Sequence, residues 1–393
     1  MLSLNRLLSV SALCALFCPQ ASVAAQHIDL GPSTGIALDQ PRVAVEVYIP
    51  DPEQSLGPEF FNTYLLDTGS QSILAQADAY ADLADSGYQV EGSFYEQGVS
   101  GTIEFDVSAV YSFRFADTDG LPYVLEDLRM MSHETMLCGF DGIVGMPAMV
   151  DRTTSMDLRP MEDAGLMEVH FPEALPEGNG HRYSIPQQLV DWPAPPQEPG
   201  ALMPVYAPIP FMEVTLGHGS QSVAGTWLTD TGAQMNIVST AFALSAGLDE
   251  SGDGSLEDEI LWYEQICGVG GTTPAPVIFA DRLVVPTAEG VDLVWTDIYL
   301  LLLDIHPDID GVFSCDPLTS GYLERLWTGQ YGYFEQVHFD FSLDGDDTND
   351  MMYLDMNGAF DNVVPEPGCL VLLGAVSAAA LPVRRRKGRS AWN

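Results

Sequence analysis

The tripeptide Asp-Thr-Gly occurs twice in this chain of 393 residues, and no other feature constrains the fold as strongly. The first copy begins at Asp67 and the second at Asp230, a separation of 230 − 67 = 163 residues. Each copy follows an apolar run and precedes a small residue and a glutamine. A single copy would be weak evidence, since these are ordinary turn residues. Two copies in equivalent surroundings indicate a duplicated chain.

The similarity between the two halves extends well beyond the tripeptides. Residues 95–102 match residues 263–272, with two residues inserted in the second copy, and residues 140–145 match residues 309–314. The order of the matching segments is the same in both halves, and Glu-Val pairs precede both tripeptides in segments that alternate like strands. A duplication that covers most of the chain is therefore predicted.

The local composition predicts a mostly β protein. Short segments rich in Val, Ile, Tyr and Phe recur between Gly, Asp and Pro, as in residues 43–49 and 103–115. Brief helices are predicted at residues 75–83 and 240–246, at a similar interval after each tripeptide. The proline-rich stretch at residues 171–210 is predicted to connect two lobes.

Two Asp-Thr-Gly motifs in a duplicated, β-rich chain resemble the pepsin family of bilobal aspartic proteases, and more loosely the single-lobe retroviral type, which dimerises. The resemblance implies a mostly β, bilobal, pepsin-like acid protease fold, with two homologous lobes and an active-site cleft between them. We expect an N-terminal lobe at residues 26–172, a connection at 173–207 and a C-terminal lobe at 208–360. We also expect a monomer.

The resemblance implies that Asp67 and Asp230 form one catalytic site in an aspartic endopeptidase that acts on polypeptides without a cofactor or a metal. Two neighbouring carboxylates cannot both ionise cheaply, so the pair holds one proton near working pH. The ionised member can take a proton from a water that attacks the scissile carbonyl, while the other donates to the carbonyl oxygen.

The residues that follow each aspartate are expected to support the site: Thr68, Gly69, Ser70, Thr231, Gly232 and Ala233. The resemblance implies that the two threonines hydrogen-bond across the lobe interface. It also implies that the two glycines let backbone amides approach the carboxylates. Ser70 can donate its hydroxyl to Asp67, whereas Ala233 offers no hydroxyl to Asp230. The two carboxyl groups are therefore expected to have unequal surroundings.

Pepsin-like enzymes usually close a hairpin flap that carries a tyrosine over the substrate, and Tyr95 is the candidate here. Tyr263 holds the matching place in the second half, which suggests a packing role inherited with the repeat. The tryptophan that pepsins often place seven residues after the first aspartate is replaced by Leu74. Both roles for Tyr95 stay open.

Both ends carry targeting patterns. Residues 1–25 combine a basic residue, an apolar stretch and small residues, which is typical of a secretory signal peptide. Residues 361–393 combine Pro-Glu-Pro, an apolar run and a basic tail, and resemble the bacterial PEP-CTERM sorting signal. This resemblance implies processing by an exosortase, transient anchoring in the membrane and delivery to the cell surface, the outer envelope or the extracellular matrix. A plain C-terminal membrane anchor is the alternative, although the apolar run is short for a spanning helix.

The charge of the chain excludes some partners. The formal net charge is −42 at pH 7, and between the two targeting segments there are eight arginines and no lysine. Such a surface repels nucleic acid and anionic membranes. It suits a protein that works at low pH or in high salt, and both options stay open.

Of the six cysteines, three lie in the targeting segments. Cys267 and Cys315 fall in the same half, and a disulfide between them is predicted for a protein outside the cytoplasm. Cys138 would then be free.

Other chemistries lack a starting point. An acidic run at residues 344–350 could bind calcium, but it lacks the spacing of an EF-hand and is favoured as a hairpin turn. There is no Gly-x-Ser-x-Gly and no His-Glu-x-x-His, and we interpret the seven histidines as structural. The rival hypothesis is a catalytically silent pepsin-like protein that binds peptide or glycan in the surface matrix. A structural component of a surface layer is a third.

Overall fold

The computed structural model describes residues 26–98, 101–134, 139–269, 271–322, 332–341, 350–361 and 364–365. Within these residues the chain is mostly β, as predicted. The strands are β1 (Gln26–Pro32), β2 (Arg42–Pro50), β3 (Glu53–Leu66), β4 (Ile73–Gln76), β5 (Val90–Gly98), β6 (Gly101–Ser108), β7 (Tyr111–Ala116), β8 (Pro122–Leu128), β9 (Met131–His133), β10 (Gly142–Val144), β11 (Thr153–Asp157), β12 (Glu168–His170), β13 (Arg182–Pro186), β14 (Gln188–Val190), β15 (Ile209–His218), β16 (Gln221–Thr229), β17 (Ile237–Val238), β18 (Trp262–Gly268), β19 (Gly271–Pro286), β20 (Val291–Leu302), β21 (Gly311–Phe313), β22 (Phe334–Asp340), β23 (Met351–Met356) and β24 (Val364–Pro365).

The helices are short. They are α1 (Ala77–Asp85), α2 (Thr240–Ser245) and α3 (Asp316–Thr319), with single 3-10 turns at Met146–Ala148 and Arg159–Glu162. The first two lie where the repeat predicted them. Ser239 caps α2, because its hydroxyl accepts a hydrogen bond from the Phe242 N–H at 3.2 Å and so satisfies one free donor of the first turn.

The first half of the chain forms a nine-stranded sheet of its own. Its order is β5-β6-β9-β4-β10-β3-β2-β7-β8, so every member lies between β2 and β10 in the sequence. Strand β5 stands at one edge of this sheet and is paired on one side by β6.

The second half forms a ten-stranded sheet that recruits a strand from the start of the chain. Strands β14 to β21 belong to it, together with β1 and β24. Strand β1, placed by the sequence in the N-terminal lobe, runs parallel to β20 from the pair Gln26 and Val291 onward. The first described residues are thus paired with the second half.

A third sheet of five strands draws on both halves, in the order β12-β11-β22-β23-β13. Ser155 on β11 stands opposite His338 on β22, and Arg182 on β13 stands opposite Asp355 on β23. Two strands, β13 and β14, lie inside the stretch of residues 173–207 that the sequence predicts as a connection. That stretch is therefore partly built into two sheets.

Each half contains the same arrangement of three strands, one long and two short. In the first half β10 runs parallel to the end of β3 and antiparallel to β4. In the second half β21 runs parallel to the end of β16 and antiparallel to β17. The duplication in the sequence is therefore also a duplication of strand topology, and an aspartate directly follows β3 in the first copy and β16 in the second.

The predicted disulfide between Cys267 and Cys315 is wrong. Cys315 is a free thiol that is fully buried, and its N–H donates to the Ala233 carbonyl at 3.0 Å. Cys267 is disulfide-bonded, but it lies on hairpin strand β18 opposite Thr272 and not beneath the Asp230 loop. Proximity in sequence did not predict proximity in space. Cys138 lies outside the described residues.

Several other predictions also fall outside the described residues: the signal peptide at 1–25, nearly all of the sorting segment at 361–393, and all but the last residue of the acidic run at 344–350. Strands β22 and β23, which flank the acidic run, pair antiparallel. Within the part of the chain that the structure describes, no helix has the length and apolarity needed to cross a membrane.

Candidate active site

The two aspartates are delivered to the same place by equivalent strands. Asp67 directly follows β3, and its N–H donates to the Val144 carbonyl at 2.9 Å. Asp230 directly follows β16, and its N–H donates to the Phe313 carbonyl, also at 2.9 Å. The apolar strands β10 and β21 therefore fix the start of each loop that carries an aspartate.

Thr68 and Thr231 link the two loops, as the family resemblance implies. The Thr68 N–H donates to the Thr231 hydroxyl oxygen at 3.1 Å, and the Thr231 N–H donates to the Thr68 hydroxyl oxygen at 3.0 Å. Each hydroxyl in turn donates to a backbone carbonyl of the opposite strand at 2.7 Å, Thr68 to Thr229 and Thr231 to Leu66. Both threonines are buried, so these four bonds hold the loops together away from water.

Gly69 and Gly232 allow the loops to approach each other closely. A Cβ atom on Gly69 would lie 2.5 Å from the carboxyl carbon of Asp230, and one on Gly232 would lie 2.5 Å from that of Asp67. Each glycine N–H also donates to the aspartate of its own loop at 2.8 Å. Because any side chain would collide with a carboxyl group, only glycine lets the two carboxyl groups come within hydrogen-bonding reach of each other.

The proximity of the carboxyl groups changes their protonation. Burial raises the pKa of Asp67 well above its ordinary value, and the negative charge of Asp230 and a hydrogen bond to it add to this effect. Burial also raises the pKa of Asp230, although hydrogen bonds from Asp67 and from the N–H groups of Ala233 and Gly232 lower it in part. Both side chains keep some exposed surface, so the pair can meet water. The pair therefore retains a proton at a pH where ordinary aspartates are ionised.

The expected hydrogen bond from the Ser70 hydroxyl to Asp67 is not formed. The hydroxyl donates instead to the Ser72 carbonyl at 3.3 Å, because the tight turn after Gly69 brings that carbonyl within reach. On the other loop the Ala233 N–H donates to Asp230 at 3.0 Å, beside the Gly232 N–H. The asymmetry predicted from Ser70 and Ala233 thus does not come from a serine hydroxyl on the carboxylate.

The replacement of Gly145 by Ser314 in the second copy has a physical reason. A Cβ atom on Gly145 would lie 2.3 Å from the Ser70 carbonyl oxygen, so the first copy has no space for a side chain. In the second copy the Ser314 N–H and hydroxyl donate to Oδ1 of Asn236 at 3.0 and 3.2 Å. Asn236, six residues after Asp230, is fully buried and has no counterpart in the sequence predictions.

Gln40 is a further residue at the site that the sequence did not predict. Its side-chain amide donates to the Gly232 carbonyl at 2.5 Å, and it is itself buried. Gln40 lies before β2, outside the repeated segments, so the comparison of the two halves could not find it.

The predicted flap is a real hairpin, β5-β6, and its tip meets the tip of the equivalent hairpin β18-β19. A Cβ atom on Gly98 would lie 2.1 Å from the Val269 carbonyl oxygen. The fully buried aromatic side chain on β5 is Phe94, which packs with Leu74 and Phe105. Tyr95 alternates with Phe94 and is half-exposed, with Glu104 and Glu198 near its hydroxyl, while Tyr263 is exposed. The structure thus places Tyr95 on the hairpin without a contact to the aspartates.

Comparison with known proteins adds little to this geometry. No family model matches the chain, and no curated protein matches it. Among solved structures, that of edgp aligns with a TM-score of 0.38 at 10% identity, covering 84% of this chain and 94% of its own. That of basic 7S globulin from soybean aligns with a TM-score of 0.44 at 6% identity, covering 80% and 95% respectively. Both have a pepsin-like fold. At TM-scores below 0.5 these likenesses support no conclusion about this chain.

A second constellation, Ser155, His338 and Asp355, has the residue types of a hydrolase triad. Ser155 Oγ lies 2.7 Å from His338 Nδ1, and His338 Nε2 lies 3.2 Å from Asp355 Oδ2. All three are buried within the five-stranded sheet, and Arg182 makes two 2.7 Å hydrogen bonds to Asp355. Without access for a substrate, this network is structural.

Asp117, Asp119 and His170 bring three potential metal-ligand atoms within 4.8 Å of one another. Asp117 already accepts a hydrogen bond from the Leu121 N–H at 2.8 Å, and His170 Nδ1 pairs with Asp119 at 3.2 Å. Asp119 is 67% exposed, whereas Asp117 is buried and bonded to the backbone, so these side chains already have partners without a metal.

Proposed function

We propose that this protein is a bilobal, pepsin-like aspartic endopeptidase that hydrolyses peptide bonds through a water activated by Asp67 and Asp230. The observation that carries the proposal is the mutual approach of the two carboxyl groups on loops locked by Thr68 and Thr231. A pair that shares one proton, meets water and sits on a rigid support has what general acid–base hydrolysis requires.

We assign the starting proton to Asp67 and the charge to Asp230. Both carboxyl groups accept hydrogen bonds from backbone N–H groups, but the negative charge of Asp230 raises the pKa of Asp67, whereas the hydrogen bond from Asp67 lowers the pKa of Asp230. Asp230 takes a proton from the bound water while the water oxygen attacks the carbonyl carbon. Asp67 gives its proton to the carbonyl oxygen, which produces a tetrahedral gem-diol.

The second step restores the pair. Asp230, now protonated, gives its proton to the amide nitrogen as the carbon–nitrogen bond breaks. Asp67 takes a proton from one hydroxyl of the gem-diol, and a carboxylic acid and an amine leave. The pair again holds one proton, and no covalent intermediate is needed.

The place of action is part of the proposal. We infer export through the signal pattern at residues 1–25 and sorting through residues 361–393, by an exosortase-type enzyme, to the cell surface or beyond. The net charge of −42 supports a site of action in acid or in salt, where carboxylate repulsion is reduced. A polypeptide is the proposed substrate.

The experiment is to incubate the purified protein with a reduced and alkylated, unfolded protein from pH 3 to pH 8, with and without pepstatin. Asp67→Asn and Asp230→Asn are compared with Asp78→Asn, which removes an exposed carboxylate from the first turn of α1. We expect pepstatin-sensitive cleavage that either dyad substitution abolishes and that Asp78→Asn preserves.

Cleavage that survives Asp67→Asn or Asp230→Asn would refute the shared dyad. Absence of cleavage at every pH, together with retained binding of the unfolded protein, would favour the catalytically silent binding protein.

A further inference from the structure

The chain between β14 and β15 contains an irregular segment, residues 191–207, which we call the strap. It includes five prolines, and none of it is in a helix or a strand. Because proline has no N–H, the strap forms few backbone hydrogen bonds with the rest of the protein. Side-chain contacts therefore contribute much of what holds the strap in place.

Both ends of the strap are tied to Gln71, four residues beyond Asp67. The Gln71 side-chain amide donates to the Trp192 carbonyl at 3.1 Å, and the Ala207 N–H donates to the Gln71 carbonyl at 2.9 Å. Gln71 is buried by these contacts. The strap thus leaves from and returns to the loop that carries one catalytic aspartate.

The middle of the strap covers the free edge of β5. The Tyr95 N–H donates to Gln197 Oε1 at 2.7 Å, and Gln197 Nε2 donates to the Tyr95 carbonyl at 2.7 Å. A carboxamide has the same donor and acceptor as a peptide unit, so Gln197 takes the place of a peptide added to the edge strand.

Apolar and polar side chains reinforce this cover. Leu202 lies against Gly92, where a Cβ atom would be 2.9 Å from the leucine side chain. The Tyr206 ring packs against Phe94 with centroids 5.7 Å apart, and its hydroxyl donates to Glu96. The strap therefore bridges the loop that follows Asp67 and the β5 hairpin.

We propose that the strap is an internal competitor of the polypeptide substrate, which occupies the β5 edge and releases it when an extended peptide binds. The proposal rests on the proposed function. The groups in competition are the Tyr95 N–H, the Tyr95 carbonyl and the Gln71 carbonyl, all satisfied by the strap in the structure.

The first test compares the full chain with Gln197→Ala and with Gln188→Ala. Gln188 is an exposed glutamine on β14, so its substitution repeats the chemical change away from the strap's contacts. We expect kcat/KM for an unfolded protein substrate to rise at least threefold in Gln197→Ala, mainly through a lower KM, and to stay unchanged in Gln188→Ala. An unchanged or lower kcat/KM in Gln197→Ala would overturn the proposal.

The second test needs no catalysis. A fluorescent synthetic peptide with the sequence of residues 191–207 is titrated into Asp67→Asn protein, with and without Gln197→Ala in the protein. We expect at least fivefold tighter binding when the protein carries Gln197→Ala, and weaker binding of a control peptide in which the same glutamine is alanine. Equal affinities, or no binding to either protein, would overturn the strap proposal. Weaker binding to the Gln197→Ala protein would overturn it as well, whereas tighter binding without any cleavage by the wild type would refute the proposed function alone.

Discussion

Thr68 and Thr231 exchange equivalent hydrogen bonds, each accepting the backbone N–H of the other on its hydroxyl oxygen. The hydroxyls then bond to carbonyls at the ends of the opposite strands. The two loops that carry Asp67 and Asp230 are consequently one rigid unit, although 231 − 68 = 163 residues separate the threonines along the chain.

Replacing Thr231 with valine should damage both stability and activity. The change leaves the buried Thr68 N–H and Leu66 carbonyl without their partner, which costs about 1–3 kcal/mol for each group. We expect a loss of about 2–4 kcal/mol in the free energy of unfolding and a fall in kcat with little change in KM. Thr231→Ser keeps the hydroxyl and is the control. Urea denaturation and steady-state kinetics measure both effects, and similar behaviour of the valine and serine variants would contradict the role of the hydroxyl.

The raised pKa values of Asp67 and Asp230 predict the shape of the pH profile. Activity should fall on the acid side as Asp230 becomes protonated and on the alkaline side as Asp67 loses its proton. Since burial and mutual repulsion raise the pKa of the pair, the alkaline limb should lie well above the ordinary aspartate range. Measurement of kcat/KM from pH 3 to pH 9 tests this, and an alkaline limb near pH 4 would contradict it.

Asp316 predicts a specific dependence of stability on pH. Burial raises the pKa of this carboxyl to about 6, even though hydrogen bonds from the Ser33 hydroxyl and other donors lower it. A folded-state pKa above the unfolded value means that the stabilisation is complete below about pH 4 and is lost as the pH rises through about 6. Asp316→Asn should remove this loss, about 2–3 kcal/mol between pH 4 and pH 7.

Urea denaturation of the wild type and of Asp316→Asn at the two pH values measures the difference. Asp308→Asn, which changes a carboxylate that is 80% exposed, is the control. Parallel curves for the wild type and Asp316→Asn would show that the buried carboxyl does not titrate in this range.

The buried pair of Arg182 and Asp355 predicts a large loss of stability. Burial alone raises the pKa of Asp355, but hydrogen bonds from His338 and Arg182 outweigh it and leave the pKa at about 2. Its contribution is thus present above the unfolded pKa near 4 and is lost as the pH falls towards 2. Arg182→Ala, which leaves a buried charge without its main partner, should cost about 3–5 kcal/mol at pH 7.

Arg129→Ala is the control, because its charged partner Glu91 is 47% exposed and such pairs contribute about 0–1 kcal/mol. The loss of its 2.6 Å hydrogen bond to the Ser108 carbonyl adds about 1 kcal/mol. Thermal or urea unfolding at pH 7 and at pH 3 distinguishes the two variants. A cost for Arg182→Ala no greater than for Arg129→Ala would contradict the proposed importance of the buried network.

The features that repeat in the sequence were the ones predicted from it. The duplicated segments predicted β-rich halves, the helices after each tripeptide and the residues that meet at the candidate site. These are local patterns or pairs of local patterns, and a repeat makes them visible twice.

The contacts that were predicted wrongly, or not predicted at all, depend mostly on which distant segments of the chain meet. Cys267 and Cys315 lie in the same half of the chain but are not bonded to each other. Ser155 pairs with His338, which is 183 residues away in the sequence. The Ser70 hydroxyl donates to the Ser72 carbonyl and not to the Asp67 carboxylate. The choice between two nearby acceptors depends on the exact backbone geometry, which the residue types do not specify. Gln40 and Gln197 act from single-copy segments, where comparison of the halves gives no signal.

The five-stranded sheet constrains the order in which the protein can fold during its synthesis. Strands β11 and β12 leave the ribosome long before β22 and β23, which complete their sheet, have been synthesised. Until then the edge of β11 that β22 will cover is open to other chains, and the closure of such a long loop is slow. The sheet that joins the two halves can therefore close only after the last part of the chain has been synthesised.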